Sequence, residues 1–107
     1  MPKNLLLCPL MDIYGKLLTE KQRSALEYYY FDDLSLSEIA ENVGCTRQAA
    51  QELIKRAEHE LEKAEDILRL YSNGKKRSQL LKELKISIKN NDSRKAEQLI
   101  SALESLE

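Results

Sequence analysis

No proline occurs after Pro9 in this chain of 107 residues. From Leu10 onward nothing in the covalent backbone forces a helix to break. Helix ends must therefore be written in capping residues, glycines and polar clusters. Two of those signals are reciprocal capping boxes, Thr19-Glu20-Lys21-Gln22 and Ser35-Leu36-Ser37-Glu38. In each, the first hydroxyl accepts from a backbone N–H three residues on, and the Gln or Glu side chain reaches back. With only three Gly and two Pro among many Leu, Lys, Glu and Ala residues, the chain is expected to be all-α. The pattern predicts helices over 10–18, 20–31, 36–42, 47–71, 77–90 and 94–106, with Pro9 in the first turn of the first.

This length fits a single all-α domain over 1–107. Within it, a helix-turn-helix core over 10–72 precedes a C-terminal helical hairpin over 73–107. A long connecting helix carries apolar residues at Ala50, Ile54, Ala57, Leu61, Ala64, Leu68 and Tyr71, a heptad-like seam. Ser72-Asn73-Gly74 is expected to close that helix. Asn90-Asn91-Asp92 joins the last two helices, with Ser93 as the cap. The seam is expected to pack on the last two helices, on a second subunit, or on both.

The most specific segment runs from Ser35 to Lys55. A short capped helix is followed by a turn at Val43-Gly44-Cys45, where Gly44 is free to take positive φ. A second helix is then capped by Thr46. Leu36, Ile39, Ala40, Val43, Ala49 or Ala50, Leu53 and Ile54 fit the apolar interior of a helix-turn-helix, whose second helix enters the DNA major groove. On that helix Arg47, Gln48, Gln51 and Lys55 form one polar face. Arg and Gln are residue types that read guanine and adenine edges bidentately, and Lys55 or Arg56 suits a phosphate contact. The plainer reading is a solvated face on a helical hairpin.

Several of these residues also carry a resemblance. Leu17-Leu18-Thr19-Glu20-Lys21-Gln22, Tyr29-Tyr30, the run from Asp33 to Glu41, Arg47-Gln48-Ala49 and Ile54-Lys55-Arg56 are similar to the YlxM-like family of small bacterial helix-turn-helix proteins. The likeness covers residues 10–72, and the middle of the chain also resembles region four of sigma factors. Membership implies DNA binding, a gene neighbourhood shared with signal-recognition-particle components, and a regulatory role in that targeting pathway. DNA, the particle's RNA and a targeting GTPase are the partners it implies.

Charge is unevenly spread. The net charge is −1 and the pI 5.9, well below the value of about 9 typical of nucleic-acid-binding domains. Residues 72–95, however, carry eight Lys/Arg against two Asp/Glu, between acidic flanks. This block, with Lys75, Lys76 and Arg77 at its start, either docks on phosphates or is a solvated face. The acidic stretch Glu58, Glu60, Glu62, Glu65 and Asp66 reads as a solvated face rather than an acid–base site. Two of the rings in Tyr28-Tyr29-Tyr30-Phe31 are expected in the core, although such rings also stack on bases.

His59, the only histidine, reads as surface decoration, since a metal site needs three or four convergent ligands. Cys8 and Cys45 read as unpaired thiols. No cofactor, metal or catalytic constellation is expected, and the longest apolar run is too short to span a membrane. The expected protein is cytoplasmic and homodimeric, since helix-turn-helix proteins usually pair over two half-sites. Its expected function is DNA-binding regulation tied to the signal recognition particle pathway. The alternative is a protein- or RNA-binding adaptor that modulates the particle's GTPases without reading DNA.

Overall fold

The computed structural model describes residues 3–106, whose regular structure is helical with no strand among them. Six helices follow in order: α1 (Leu7–Tyr14), α2 (Glu20–Tyr30), α3 (Leu36–Val43), α4 (Arg47–Leu68), α5 (Leu70–Lys89) and α6 (Ser93–Glu104). A short 3-10 turn, Gly15–Leu17, follows α1. The all-α architecture with a central helix-turn-helix matches the sequence expectation. Two compact units are formed, the first ending at Leu68 and the second beginning at Arg69.

Local chemistry explains most helix starts. Thr19 Oγ1 accepts from the Gln22 N–H at 3.2 Å while Gln22 Oε1 accepts from the Thr19 N–H at 3.0 Å. Ser35 and Glu38 make the same reciprocal pair at 3.2 and 3.0 Å. Backbone N–H donation and the Ser35 hydroxyl hold the Glu38 carboxyl below the usual carboxylate range. The first helix begins at Leu7, three residues earlier than expected. Asn4 supports this start, its Oδ1 accepting from the Leu6 N–H and its carbonyl from the Leu7 N–H. Pro9 sits in the first turn, where its missing N–H costs nothing.

In the first unit α1, α2 and α3 pack around the front of α4. Ala50, Ile54, Ala57 and Leu61 are fully buried, together with Leu7, Tyr14, Leu26 and Ile39. Removing each such Leu or Ile side chain from water contributes about 2–3 kcal/mol. Within the first unit the buried part of the seam is thus covered by the helices preceding it. It also stops as a packing line at Leu61: Ala64 is half-buried and Leu68 is exposed. Of the aromatic run, Tyr29 is buried, Tyr28 and Tyr30 are half-buried, and Phe31 is exposed. The Tyr29 and Tyr30 rings meet edge to face at 5.2 Å.

The expected closure at Ser72-Asn73-Gly74 is displaced. The long helix breaks instead at Arg69, which takes left-handed φ 53, ψ 30, and Gly74 lies inside α5. One interior glycine costs a helix only about 1 kcal/mol, too little to end it between good helix formers. The second unit comprises α5 and α6, which pack on each other. Between them Asn91 takes φ 54. Asp92, not Ser93, caps α6, accepting from the Lys95 N–H at 3.1 Å.

Candidate nucleic-acid interface

The candidate site stands on α3, the turn after it, and the first half of α4. Gly44 ends α3 at φ 85, ψ 43, a conformation that costs residues with a Cβ about 1–2 kcal/mol. That geometry lets the N–H groups of Gly44 and Cys45 both donate to the Ala40 carbonyl, at 2.8 and 2.9 Å. Thr46 then caps α4, its Oγ1 accepting from the Ala49 N–H at 3.1 Å. Ile39 and Ala40 on α3 and Ala50 and Ile54 on α4 are buried, so the crossing of the two helices is fixed by packing.

With that face buried, the helix repeat of about 100° per residue dictates what points outward. Arg47, Gln51, Lys55 and Gln48 fall within an arc of about 100°. Arg47, Gln48 and Lys55 are exposed and Gln51 is half-buried. No carboxylate occupies the first turn of α4, so the positive end of the helix dipole is reinforced by Arg47 rather than neutralised. Glu52 is exposed just beyond the arc.

Arg56 is also exposed but lies about half a turn from Arg47, so it does not share that reading face. With Lys55, His59 and Glu60 it lines a cleft that also includes Leu17, Thr19 and Gln22. Sequence reasoning set His59 aside, yet it stands beside two cations there. Lys75, Lys76 and Arg77 lie on α5, in the second unit, and all three are exposed. The Lys75 ammonium sits 5.2 Å from the centre of the Tyr71 ring, within cation–π range.

The acidic stretch departs from the sequence reading in two places. Glu65 accepts a hydrogen bond from the Tyr14 hydroxyl at 2.6 Å. Glu58 accepts from the Tyr30 hydroxyl, whose ionisation is pushed well above the ordinary tyrosine range by burial and by that carboxylate. Both glutamates flank the buried seam by the helical repeat, whereas Glu60, Glu62 and Asp66 point to solvent. The two pairs tie α1 and α2 to α4 and so hold the exposed arc in place. At the amino end, Lys3 forms an ion pair with Asp33, which holds that carboxyl below its usual range.

Among the described residues no group of three or more His, Cys, Asp or Glu is placed to hold a metal ion. Cys8 is half-buried and Cys45 exposed, and both are free thiols. None of the helices is long and apolar enough to cross a membrane.

Comparison with known proteins agrees with this architecture. A family model described as "Putative helix-turn-helix protein, YlxM / p13 like" matches residues 1–102. The UPF0122 protein of Halalkalibacterium halodurans is 45% identical over 98 residues, covering 92% of this chain and 88% of its own length. That of Exiguobacterium sp. is 47% identical over 98 residues, covering 92% and 90%. The Bacillus thuringiensis protein is 44% identical over 100 residues, covering 92% and 91%. The chain belongs to the UPF0122 family of YlxM/p13-like helix-turn-helix proteins.

Proposed function

We propose that the protein is a cytoplasmic, homodimeric DNA-binding regulator acting in the signal recognition particle targeting pathway. In this reading α4 enters the major groove, where Arg47, Gln48 and Gln51 contact base edges. Lys55, Arg56 and the α5 cations Lys75, Lys76 and Arg77 hold phosphates. One observation carries the reading: four polar or cationic side chains stand on one arc of a capped helix, beside its buried face. The link to the targeting pathway rests on the family resemblance.

The test is a fluorescence-anisotropy titration against duplexes selected from a random pool. Each bidentate base contact contributes about 1–3 kcal/mol of discrimination. Replacing Gln48 and Gln51 together by Ala should therefore weaken the selected site at least about tenfold and leave binding to random duplex nearly unchanged. Equal affinity of variant and parent for the selected site removes the reading head.

The second reading has an observation of its own. A chain with net charge −1 carries a cluster of cations at exposed positions of α5, at Lys75, Lys76, Arg77, Lys82, Lys85 and Lys89. That distribution suits an adaptor that engages the particle's RNA or GTPase and leaves duplex DNA alone. Pull-down with the particle, and its GTPase rate with and without this protein, separate the two. Retention by RNA with no retention by DNA supports the adaptor, and neither binding nor a rate change removes it.

A further inference from the structure

The α5–α6 hairpin has little interior of its own. Among the described residues its only buried ones are Ser87 and Leu99, whereas Leu81, Ile88 and Ile100 are 43%, 62% and 46% exposed. Two helices of 20 and 12 residues that hide so little apolar surface are weakly held by their mutual packing alone.

On α5 the exposed Leu81 and Ile88 fall within about 60° of arc with the half-buried Leu84, at intervals of three and four residues, whereas the exposed Ile86 points to the other side of the helix. This stripe lies about a quarter turn from Leu80 and Ser87, which face α6. On α6, Ile100 lies about a quarter turn from the buried Leu99, in the corresponding sense. Because consecutive helices joined by a tight turn run antiparallel, these two rotations bring the α5 stripe and Ile100 to the same side of the hairpin.

Charge completes the pattern. The α5 stripe is edged by Lys85 and Lys89, both exposed. Ile100 is bracketed by Glu97 and Glu104, three residues before and four after, also exposed. None of these four side chains joins an ion pair among the described residues.

We propose that this face is a self-association surface, on which α5 of one protomer lies against α6 of a second copy and reciprocally, forming a four-helix bundle about a twofold axis. Self-complementarity selects the occupant, since one face presents an apolar stripe edged by lysines beside Ile100 edged by glutamates. A twofold operation lays each on the other. Pairing α5 on α5 would instead oppose lysine to lysine. The inference gives a surface to the homodimer of the preceding section and rests on that part of it.

Sedimentation velocity of the full-length protein over a concentration series tests it, with circular dichroism confirming helicity. The parent chain should sediment as a dimer. Ile88→Glu, at an exposed position, should weaken the dimer by about a hundredfold, because the new carboxylate would be buried without a partner. A charge exchange distinguishes pairing between chains from pairing within one. Lys85→Glu with Lys89→Glu in one chain, and Glu97→Lys with Glu104→Lys in another, should each weaken the homodimer. Mixed, they should form a heterodimer, seen by native mass spectrometry, since every facing pair is then opposite in charge. A parent protein that stays monomeric overturns both this inference and the proposed homodimer. A dimer that survives Ile88→Glu, or charge variants that mix only statistically, overturns this surface alone. The anisotropy titration of α4 remains independent of either result.

Discussion

Two glycines of this chain should respond to the same substitution with opposite sign. Gly44 sits at φ 85, ψ 43 between α3 and α4, and no heavy atom lies within 4 Å of the position its Cβ would take. Gly44→Ala therefore meets no steric neighbour, and its whole cost is the left-handed backbone, about 1–2 kcal/mol. Gly74 lies inside α5, is not among the positive-φ residues, and also has open space where a methyl would go. Gly74→Ala should stabilise its helix by about 1 kcal/mol through reduced unfolded-chain entropy. The two variants should thus differ by about 2–3 kcal/mol, summing those terms. Urea titrations followed at 222 nm measure each shift. In thermal melts about 4–8 °C is expected per kcal/mol for a unit of this size. A third variant isolates the cause: Gly44→Asn should lose less than Gly44→Ala, because Asn tolerates the left-handed region better. If Gly44→Ala is neutral or stabilising, or if Asn is no better than Ala, the backbone argument fails.

The buried half of the seam should separate sharply from its exposed end. Leu61→Ala, at a fully buried site, should cost about 2–5 kcal/mol, whereas Leu68→Ala, half exposed, should stay within about 0.5 kcal/mol in the same denaturation assay. Tyr30 is held neutral in the folded protein, its ionisation raised above the ordinary value of 10.0. The unfolded chain therefore releases that proton first as pH rises. The contribution is complete below about pH 10 and declines above it. Tyr30→Phe should reduce this alkaline loss of stability while lowering stability at pH 7 by about 1 kcal/mol through loss of the Glu58 hydrogen bond. Lys55→Ala should lower the slope of log affinity against log salt for DNA by about 0.9, while Gln51→Ala should leave that slope unchanged.

The features legible in the order of residues alone are local. The capping boxes at Thr19 and Ser35, the cap at Thr46 and the left-handed turn at Gly44 each depend on groups within about one helical turn, and each appears where the residues place it. The arc of Arg47, Gln48, Gln51 and Lys55 was legible for the same reason, because helical periodicity alone fixes which side chains share a face. Tertiary structure decided what depends on distant partners. Glu58 and Glu65 looked like members of a uniform acidic face, but tyrosines 28 and 51 residues away claim them. Helices α1 to α3 cover the buried part of the seam, and Thr19 and Gln22 join the cleft of Lys55, Arg56 and His59 only because the start of α2 lies beside α4. The break at Arg69 has no glycine, proline or asparagine at that position to announce it. Such contacts require chain segments to meet across long separations, and no spacing rule within a single helix encodes that meeting.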